Sequence, residues 1–274
     1  MIKKRKLIFA AVSIIVSAVY LYRQKNRLEL SEYAIKTRKL PTAFDGFKIV
    51  QIADLHNKRF GKENRRLIKL IKAQKPDIIV ISGDLIDSRH THMEAALEFI
   101  RSAVEIADVF YTTGNHEHRL ESPVLTAFFN EMKSAGAIVL EDETVSIEHC
   151  GERIYISGMS DRPKPTKESL ENLLAPAKDG LSILIAHRPH NAPIYASAGA
   201  DIAFSGHAHG GLIRLPFIGG IIAPNQGFFP KYSEGVHYFG DKAVVISRGL
   251  GSSLCPIRIN NRPEVVALTL SSSK

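Results

Sequence analysis

Five apolar runs in the 274-residue chain end in the same way, with a glycine or alanine followed at once by a side chain that can bind a metal ion. Such short, β-rich runs are typical of buried strands, and helix-period stretches separate them. Parallel strands bring their carboxyl ends to one edge of a sheet, where α/β proteins bind ligands. The five junctions are Ala53-Asp54, Gly83-Asp84, Gly114-Asn115, Ala186-His187 and Gly206-His207. We therefore expect these five polar side chains to meet at one sheet edge.

The spacing of apolar residues predicts an α/β domain with two sheets. Strands are predicted over 48–53, 78–82, 109–113, 183–186 and 202–205, and helices over 93–104 and 122–136. A polar turn around Gly151 predicts a hairpin over 144–158. Further strands at 243–247 and 265–270 indicate a second sheet packed against the first. The predicted fold is therefore a sandwich of two β-sheets flanked by helices.

Two of the junctions carry a second candidate ligand two residues further on, His56 after Asp54 and His209 after His207. A period of two places both members of each pair on the same side of an extended chain. The seven candidate metal ligands are Asp54, His56, Asp84, Asn115, His187, His207 and His209. Seven nitrogen and oxygen ligands exceed the needs of one structural zinc ion and suit two metals that share a carboxylate.

These blocks resemble the calcineurin-like metallophosphoesterases, through DLH at 54–56, GD at 83–84, GNHE at 114–117, His187 and GHAH at 206–209. The resemblance covers about residues 45 to 270 and follows the family's order of blocks. It implies that Asp54, His56 and His209 hold one metal and that Asn115, His187 and His207 hold the other. Asp84 would bridge the two. The implied metals are two divalent ions, with Mn expected and Fe or Zn as alternatives.

The resemblance also implies a catalytic histidine and its partner. His116, directly after Asn115, is similar to the family histidine that meets the leaving group or the charge of the transition state, which requires a proton donor near pH 7. Asp87 stands where some members place the carboxylate partner of that histidine. Here Ser88 separates Asp87 from Arg89, whereas those members have Asp and Arg together. Asp87 could equally cap the following turn, and both readings stay open.

The amino-terminal segment predicts a membrane anchor. Residues 7–22 are apolar apart from two serines, and purely basic clusters lie on both sides of them. We favour an uncleaved transmembrane helix over a cleaved signal peptide, because tyrosines and a second basic cluster follow without a break. The slightly larger basic cluster before the segment places the catalytic domain outside the cytoplasm, with the cytoplasmic face as the alternative. The predicted organisation is an anchor over 1–27, a linker and lead-in over 28–44 and the catalytic domain over 45–274.

The charge distribution argues against nucleic acid as a partner. The chain has a net charge of +8, and residues 1–27 hold seven basic residues and no acid, so the other 247 residues carry only +1. Proteins that bind nucleic acid through its phosphates need a basic face on the folded domain. Cys150 and Cys255 are too few for a disulfide framework, and we expect two buried, unpaired side chains. No obligate protein partner is inferred.

A stretch rich in Phe, Ile, Pro and Gly follows the last ligand block, over 215–229. We expect it to be a loop packed under the second sheet, because ordinary cores bury much apolar surface. The alternative is a lipid-facing lip near His209. Six polar residues beside the blocks are weaker candidates for substrate contacts and are expected to be solvated: Asn57, Arg89, His118, Arg119, Arg188 and His190.

The layout of anchor and domain resembles the bacterial membrane-associated branch of the family, whose activities include hydrolysis of UDP-2,3-diacylglucosamine. We therefore predict a metal-dependent phosphoesterase that cleaves a phosphodiester or pyrophosphate bond in a cell-envelope or lipid-linked substrate. Two alternatives stay open, because a fold never proves an activity. One is a phosphoesterase of broad specificity for soluble esters, and the other is a catalytically silent metal-binding scaffold.

Overall fold

A computed structural model describes residues 2–90, 92–252 and 256–273. Within these ranges the chain forms six α-helices and sixteen β-strands. The helices are α1 (Ile2–Asn26), α2 (Arg65–Gln74), α3 (Glu94–Ala103), α4 (Ser122–Ser134), α5 (Lys167–Leu174) and α6 (Ala192–Ser197). The first eight strands are β1 (Glu29–Thr37), β2 (Lys48–Ile52), β3 (Ile78–Ser82), β4 (Asp108–Thr112), β5 (Ile138–Val139), β6 (Glu143–His149), β7 (Glu152–Met159) and β8 (Leu181–Ala186). The others are β9 (Ile202–Ser205), β10 (Arg214–Leu215), β11 (Gly219–Gly220), β12 (Ile222–Ala223), β13 (Gly227–Phe228), β14 (Gly235–Phe239), β15 (Lys242–Ile246) and β16 (Glu264–Ser272).

Two six-stranded mixed sheets form the body of the molecule, as the sequence predicts. The first has the order β1-β16-β2-β3-β4-β5 and the second β14-β15-β9-β8-β7-β6. Strands β2 to β5 are parallel neighbours in the first sheet, and β7, β8, β9 and β15 are parallel neighbours in the second. The predicted hairpin is β6 and β7, which pair antiparallel from Glu143 opposite Gly158 to His149 opposite Glu152.

The core has three layers that follow from this arrangement. Between the sheets lie β-branched and aromatic side chains such as Val80, Phe110 and Phe204. The outer face of the first sheet is covered by α2, α3 and α4, where α3 presents its apolar stripe, including Phe99 and Ile100. Helices α5 and α6 cover the second sheet. Strands buried on both faces read as continuous apolar runs, which explains why β3 and β8 are evident in the sequence.

The five predicted strand ends belong to two sheets, and this corrects the expectation of a single edge. Strands β2, β3 and β4 lie in the first sheet, whereas β8 and β9 lie in the second. The carboxyl ends still meet, because the sheets stack with these ends together. Gln51 of β2 shows the contact, since its Nε2 donates to Ser82 Oγ over 3.0 Å within its own sheet and to the carbonyl of Ser205 in β9 over 2.8 Å.

Residues 28–44 are predicted as a linker, but most of this range is part of the folded domain. Strand β1 pairs in parallel with β16 along its whole length, from Glu29 opposite Glu264 to Thr37 opposite Ser272. Its alternating, half-exposed pattern is that of an edge strand, which has no continuous apolar run to reveal it. The structured domain therefore begins directly after α1.

Two further expectations are wrong. In the stretch over 215–229, the apolar side chains Leu215, Phe217, Ile218, Ile222, Phe228 and Phe229 are exposed and Ile221 is half-buried, so this segment does not pack under the second sheet. It forms two short hairpins, β10 with β11 and β12 with β13. Cys150, expected to be buried, is exposed in the turn between β6 and β7. Cys255 lies outside the described residues.

Candidate metal centre

All seven candidate ligands lie just after the carboxyl ends of central strands, and all seven are buried. Asp54 and His56 follow β2, Asp84 follows β3, Asn115 follows β4, His187 follows β8, and His207 and His209 follow β9. Five of them have a positive φ angle between 47° and 63°: Asp54, His56, Asp84, His207 and His209. Left-handed backbone is uncommon for residues other than glycine and clusters at functional sites. The backbone at these five residues is therefore strained, and this conformation directs their side chains toward one another.

The small residues before the ligands are required by close packing of the strand ends. A Cβ atom on Gly114 would lie 2.2 Å from Asp84 Oδ1, and one on Gly206 would lie 2.6 Å from Asp54 Oδ2. Non-bonded atoms do not approach this closely, so a side chain at either position would force its neighbours to move. Glycine at these positions lets backbone and carboxylate approach each other.

Three groups of buried side chains have ligand atoms that lie within 4.8 Å of one another. Two consist of candidate ligands, namely Asp54, His56 and His209, and Asp84, His187 and His207; the third is His56, Asp87 and His116. Asp84 lies between the two groups of candidate ligands, because its Oδ2 is 3.3 Å from His187 Nε2 and 3.7 Å from His56 Nε2. Asn115 follows β4 beside Asp84 and is 7% exposed. The family resemblance implies the same two sets of histidines, and the assignment of individual metal ligands stays a prediction.

Hydrogen bonds fix the orientation of two of the histidines. His187 Nδ1 donates to the carbonyl of Ser82 over 2.7 Å, and His207 Nε2 donates to Asn225 Oδ1 over 2.7 Å. These bonds leave lone pairs on His187 Nε2 and His207 Nδ1, which are 3.1 Å apart. Two lone pairs that face each other repel unless a proton or a metal cation lies between them. A metal-ligating histidine typically donates its other N–H to such a partner.

Several buried polar atoms lack a hydrogen-bond partner among the described residues. Of the ten such side-chain atoms, four lie together in this centre: Nδ1 and Nε2 of His56, Nδ1 of His209 and Oδ1 of Asn115. A buried polar atom without a partner costs about 1–3 kcal/mol, so four of them in one centre would be a heavy penalty. All four belong to candidate ligands. The donor set of imidazole nitrogen, carboxylate and amide oxygen therefore fits divalent cations.

The electrostatics of the centre differ among its candidate ligands. Burial lowers the pKa of His187, but the carboxylate of Asp84 outweighs it and raises that pKa to about 10, so a bound cation must displace a proton from this ring. Burial lowers the pKa of His56 to about 4 and that of His207 to about 3, so both imidazoles are neutral near pH 7. Burial raises the pKa of Asp54 to about 7. A bound cation opposes that shift because it stabilises the carboxylate.

His116 lies beside the metal ligands, with its ring centroid 4.7 Å from that of His56. Its Nδ1 accepts a hydrogen bond from the Ser88 N–H over 3.0 Å and is 3.4 Å from Asp87 Oδ1. Asp87 also accepts from the backbone and guanidinium of Arg89, so Ser88 does not prevent that pairing. The carboxylate therefore both caps its turn and faces His116, which combines the two readings.

Comparison with known proteins identifies the family. Residues 47–211 match the calcineurin-like phosphoesterase family. The chain belongs to this family. The metallophosphoesterase YkuE of Bacillus subtilis, described as uncharacterized, is 34% identical over 260 residues, which cover 92% of the chain and 88% of the relative. The phosphodiesterase YaeI of Escherichia coli is 30% identical over 231 residues, or 82% of each chain. A transmembrane protein with a metallophosphoesterase domain from Danio rerio is 25% identical over 98% of the chain and 63% of its own length.

Calcineurin-like phosphoesterases are hydrolases of phosphoester bonds that use divalent metals, and this metallophosphoesterase has the buried ligand groups to match. Helix α1 contains a 19-residue stretch, Ile8–Asn26, that is long and apolar enough to cross a membrane. Only 6% of that stretch is buried against the rest of the described chain.

Sequence reasoning missed two residues beside the candidate ligands, Glu117 and Asn225, and expected a third, Arg188, to be solvated. Glu117 is fully buried, and its carboxylate accepts from the N–H groups of Asp84, Ile86 and Gly114. The GNHE block contains this residue, so a signal was present. Asn225 orients His207 from a hairpin turn, and no motif marks it. Arg188, expected to be solvated, is buried and forms a paired contact with Asp161.

Proposed function

We propose that this metallophosphoesterase cleaves a phosphodiester or pyrophosphate bond in a lipid-linked cell-envelope substrate, of which UDP-2,3-diacylglucosamine is an example. The observation that carries the reaction type is the position of Asp84 between two groups of buried ligands. A phosphodiesterase among the relatives supports the same bond type. The lipid-linked substrate is supported by the apolar helix α1, which joins the domain beside the centre.

We assign one cation to Asp54, His56 and His209, the second to Asn115, His187 and His207, and the shared position to Asp84. Mn²⁺ is the expected metal, with Fe and Zn as alternatives, because this mixed ligand set suits all three. When bound, two such cations polarise the phosphoryl oxygens and acidify water near neutral pH. The unpartnered atoms of His56, His209 and Asn115 support this assignment.

We assign His116 as the proton donor to the leaving oxygen. In the neutral ring, Nδ1 accepts from the Ser88 N–H and the proton is on Nε2. The proton donor is the ring protonated on both nitrogens, which gives its Nε2 proton to the leaving oxygen and keeps its Nδ1 proton. Asp87 faces Nδ1 and stabilises the protonated ring. In this role Asp87 is a positioning residue, since it acts through His116.

The lipid-linked substrate is proposed from the way α1 joins the domain. The last turns of α1 dock onto the loop before β16, where Tyr20 Oη donates to Asn260 Oδ1 over 2.8 Å and Gln24 Oε1 accepts from Asn261 N–H over 3.2 Å. Asn261 Nδ2 then donates to the carbonyl of His209 over 2.7 Å. A membrane-spanning α1 would thereby hold the metal centre close to the bilayer surface, on the extracytoplasmic side by the positive-inside rule.

The test uses the full chain in detergent micelles or lipid nanodiscs. Metals are removed with a chelator, Mn²⁺ is added back, and bound metal is counted beside turnover of bis(p-nitrophenyl) phosphate, p-nitrophenyl phosphate and UDP-2,3-diacylglucosamine. We expect two metals per chain, metal-dependent turnover, and a preference for the lipid-linked pyrophosphate. A preference for the soluble monoester would favour the broad-specificity alternative. Two bound metals without turnover of any ester would favour the silent scaffold.

A further inference from the structure

The exposed apolar hairpin between β10 and β11 lies next to the point where α1 leaves the domain. Phe217 at its tip is fully exposed, and Leu215 and Ile218 beside it are 43% and 59% exposed. We call these three side chains the apolar lip. Exposed apolar clusters of this kind on a soluble surface mark interaction sites.

Direct contacts place the lip beside α1. Asn260 is the link, because its Nδ2 donates to the carbonyl of Arg214 at the base of the lip over 3.2 Å and its Oδ1 accepts from Tyr20 Oη of α1. A cavity of about 470 Å³ lies at the same place, lined by Asn260 and the hairpin. The lip therefore lies beside the carboxyl-terminal end of the apolar segment of α1.

The surroundings match the interface of a bilayer. Tyr20 and Tyr22 are exposed on α1, and tyrosine is enriched where membrane meets water. Basic residues Arg23, Lys25 and Arg27 follow within five residues of Tyr22, where a membrane-spanning α1 would meet the lipid phosphates. A helix that enters the bilayer at this point brings the lip to the same surface.

We propose that the lip inserts into the lipid leaflet from which α1 emerges and seats the metal centre on the membrane. This inference rests on the proposed membrane attachment through α1. The adjoining hairpin, β12 with β13, contains Asn225, whose Oδ1 accepts from His207 Nε2. Phe228 and Phe229 of this segment are 71% and 65% exposed and add to the exposed apolar surface. In this position the metal centre would meet an amphiphilic substrate whose phosphate lies at the depth of the lipid headgroups.

The chain contains no tryptophan, so one introduced tryptophan reports its own surroundings without background. The probe is Phe217→Trp in the full chain, reconstituted in vesicles of phosphatidylcholine and phosphatidylglycerol with and without bromine on the upper acyl chain. Val16→Trp, in the middle of the apolar segment of α1, is the positive control. Tyr238→Trp is the negative control, because Tyr238 is exposed at the opposite end of the second sheet from the metal centre.

We expect brominated lipid to quench Phe217→Trp nearly as strongly as Val16→Trp and several-fold more than Tyr238→Trp, and iodide in the buffer to quench only Tyr238→Trp. Quenching of Phe217→Trp by iodide but not by brominated lipid would overturn the proposal. Protection from both would show that a protein covers the lip, and would also overturn it. The quenching measurement needs no substrate. A chain without phosphoesterase activity would therefore contradict the proposed function but not the insertion of the lip. If Val16→Trp also escapes lipid quenching, the anchor itself is wrong.

Discussion

The backbone N–H of Ser88 donates a hydrogen bond to Nδ1 of His116 over 3.0 Å. A ring nitrogen that accepts from a backbone N–H carries no proton of its own, so the neutral imidazole is protonated at Nε2. Serine between Asp87 and Arg89 is the departure from the family pattern that the sequence reveals. In the structure, that same residue supplies the N–H that orients the His116 ring.

Replacement His116→Ala should leave metal content unchanged and reduce turnover of esters with poor leaving groups by about 10²- to 10⁴-fold. The loss should be much smaller with p-nitrophenyl esters, because an activated leaving group needs little protonation. His149→Ala is the matched control, since His149 is an exposed histidine at the end of β6, away from the strand ends that carry the candidate ligands. Equal losses on both kinds of ester would contradict proton donation by His116.

Replacement Asp87→Asn should shift the alkaline limb of the pH profile of kcat/KM to lower pH. Burial lowers the pKa of the His116 imidazole, and the carboxylates of Asp84 and Asp87 oppose that shift by stabilising the protonated ring. Removing one of these charges lowers the pKa further, so the acid form is lost at lower pH. Asp241→Asn, at an exposed aspartate, should leave the profile in place. An unchanged profile for Asp87→Asn would assign the carboxylate to turn capping alone.

Replacement Asp84→Asn should lower both bound metal and turnover, the latter by at least about a hundredfold. An amide keeps the shape of the side chain but offers one weaker oxygen ligand, whereas Asp84 Oδ2 lies between His56 and His187. Metal is counted by mass spectrometry on the purified chain, with Asp179→Asn as an exposed control. A fully active variant with two metals would exclude the shared-carboxylate assignment.

The strand-end ligands could be predicted from sequence because each signal is local. A buried strand reads as an apolar run, and the ligand follows it within one to three residues, as at Asp54 and His56. Strand β1 could not be predicted, since its partner β16 lies more than 200 residues away and its own pattern is that of a half-exposed edge.

Two other features depend on tertiary contacts that no local pattern encodes. Asn225 reaches His207 from a hairpin turn across 18 residues of glycine-rich and proline-rich chain, with no motif to mark it. Phe217 was expected to be buried because apolar residues usually are, and its exposure follows only from the direction of its hairpin. Composition predicts how much apolar surface a segment has, but not which way that surface points.

Glu117 holds the loops after β3 and β4 together, so Glu117→Gln should reduce the free energy of unfolding by about 1–3 kcal/mol. Its two carboxylate oxygens accept from three backbone N–H groups, those of Asp84, Ile86 and Gly114. Glutamine keeps one of the two oxygens. Its NH₂ group replaces the second oxygen and cannot accept the N–H groups that donated to it. Urea unfolding measures the change, and Glu121→Gln, at an exposed glutamate, is the control. Equal stability of Glu117→Gln and the unmodified chain would contradict this role.

Asn225 acts on the metal centre through His207, so Asn225→Ala should weaken metal binding without removing a ligand. Asn225 Oδ1 accepts from His207 Nε2 over 2.7 Å and from Arg188 Nη1 over 3.1 Å. Without that acceptor the ring is free to rotate and to place its proton on Nδ1, the atom that faces His187. Loss of such a partner typically costs about 10- to 100-fold in metal affinity.

The dependence of turnover on Mn²⁺ concentration separates this effect from loss of a ligand. For Asn225→Ala, the half-saturating Mn²⁺ concentration should rise by about 10- to 100-fold, and excess Mn²⁺ should restore most of kcat. For His207→Ala, excess metal should not restore turnover, because a ligand itself is missing. Asn172→Ala, at an exposed asparagine on α5, should match the unmodified chain. An unaltered Mn²⁺ dependence in Asn225→Ala would show that the hairpin does not control the metal centre, because the remaining contacts of His207 would then suffice to orient its ring.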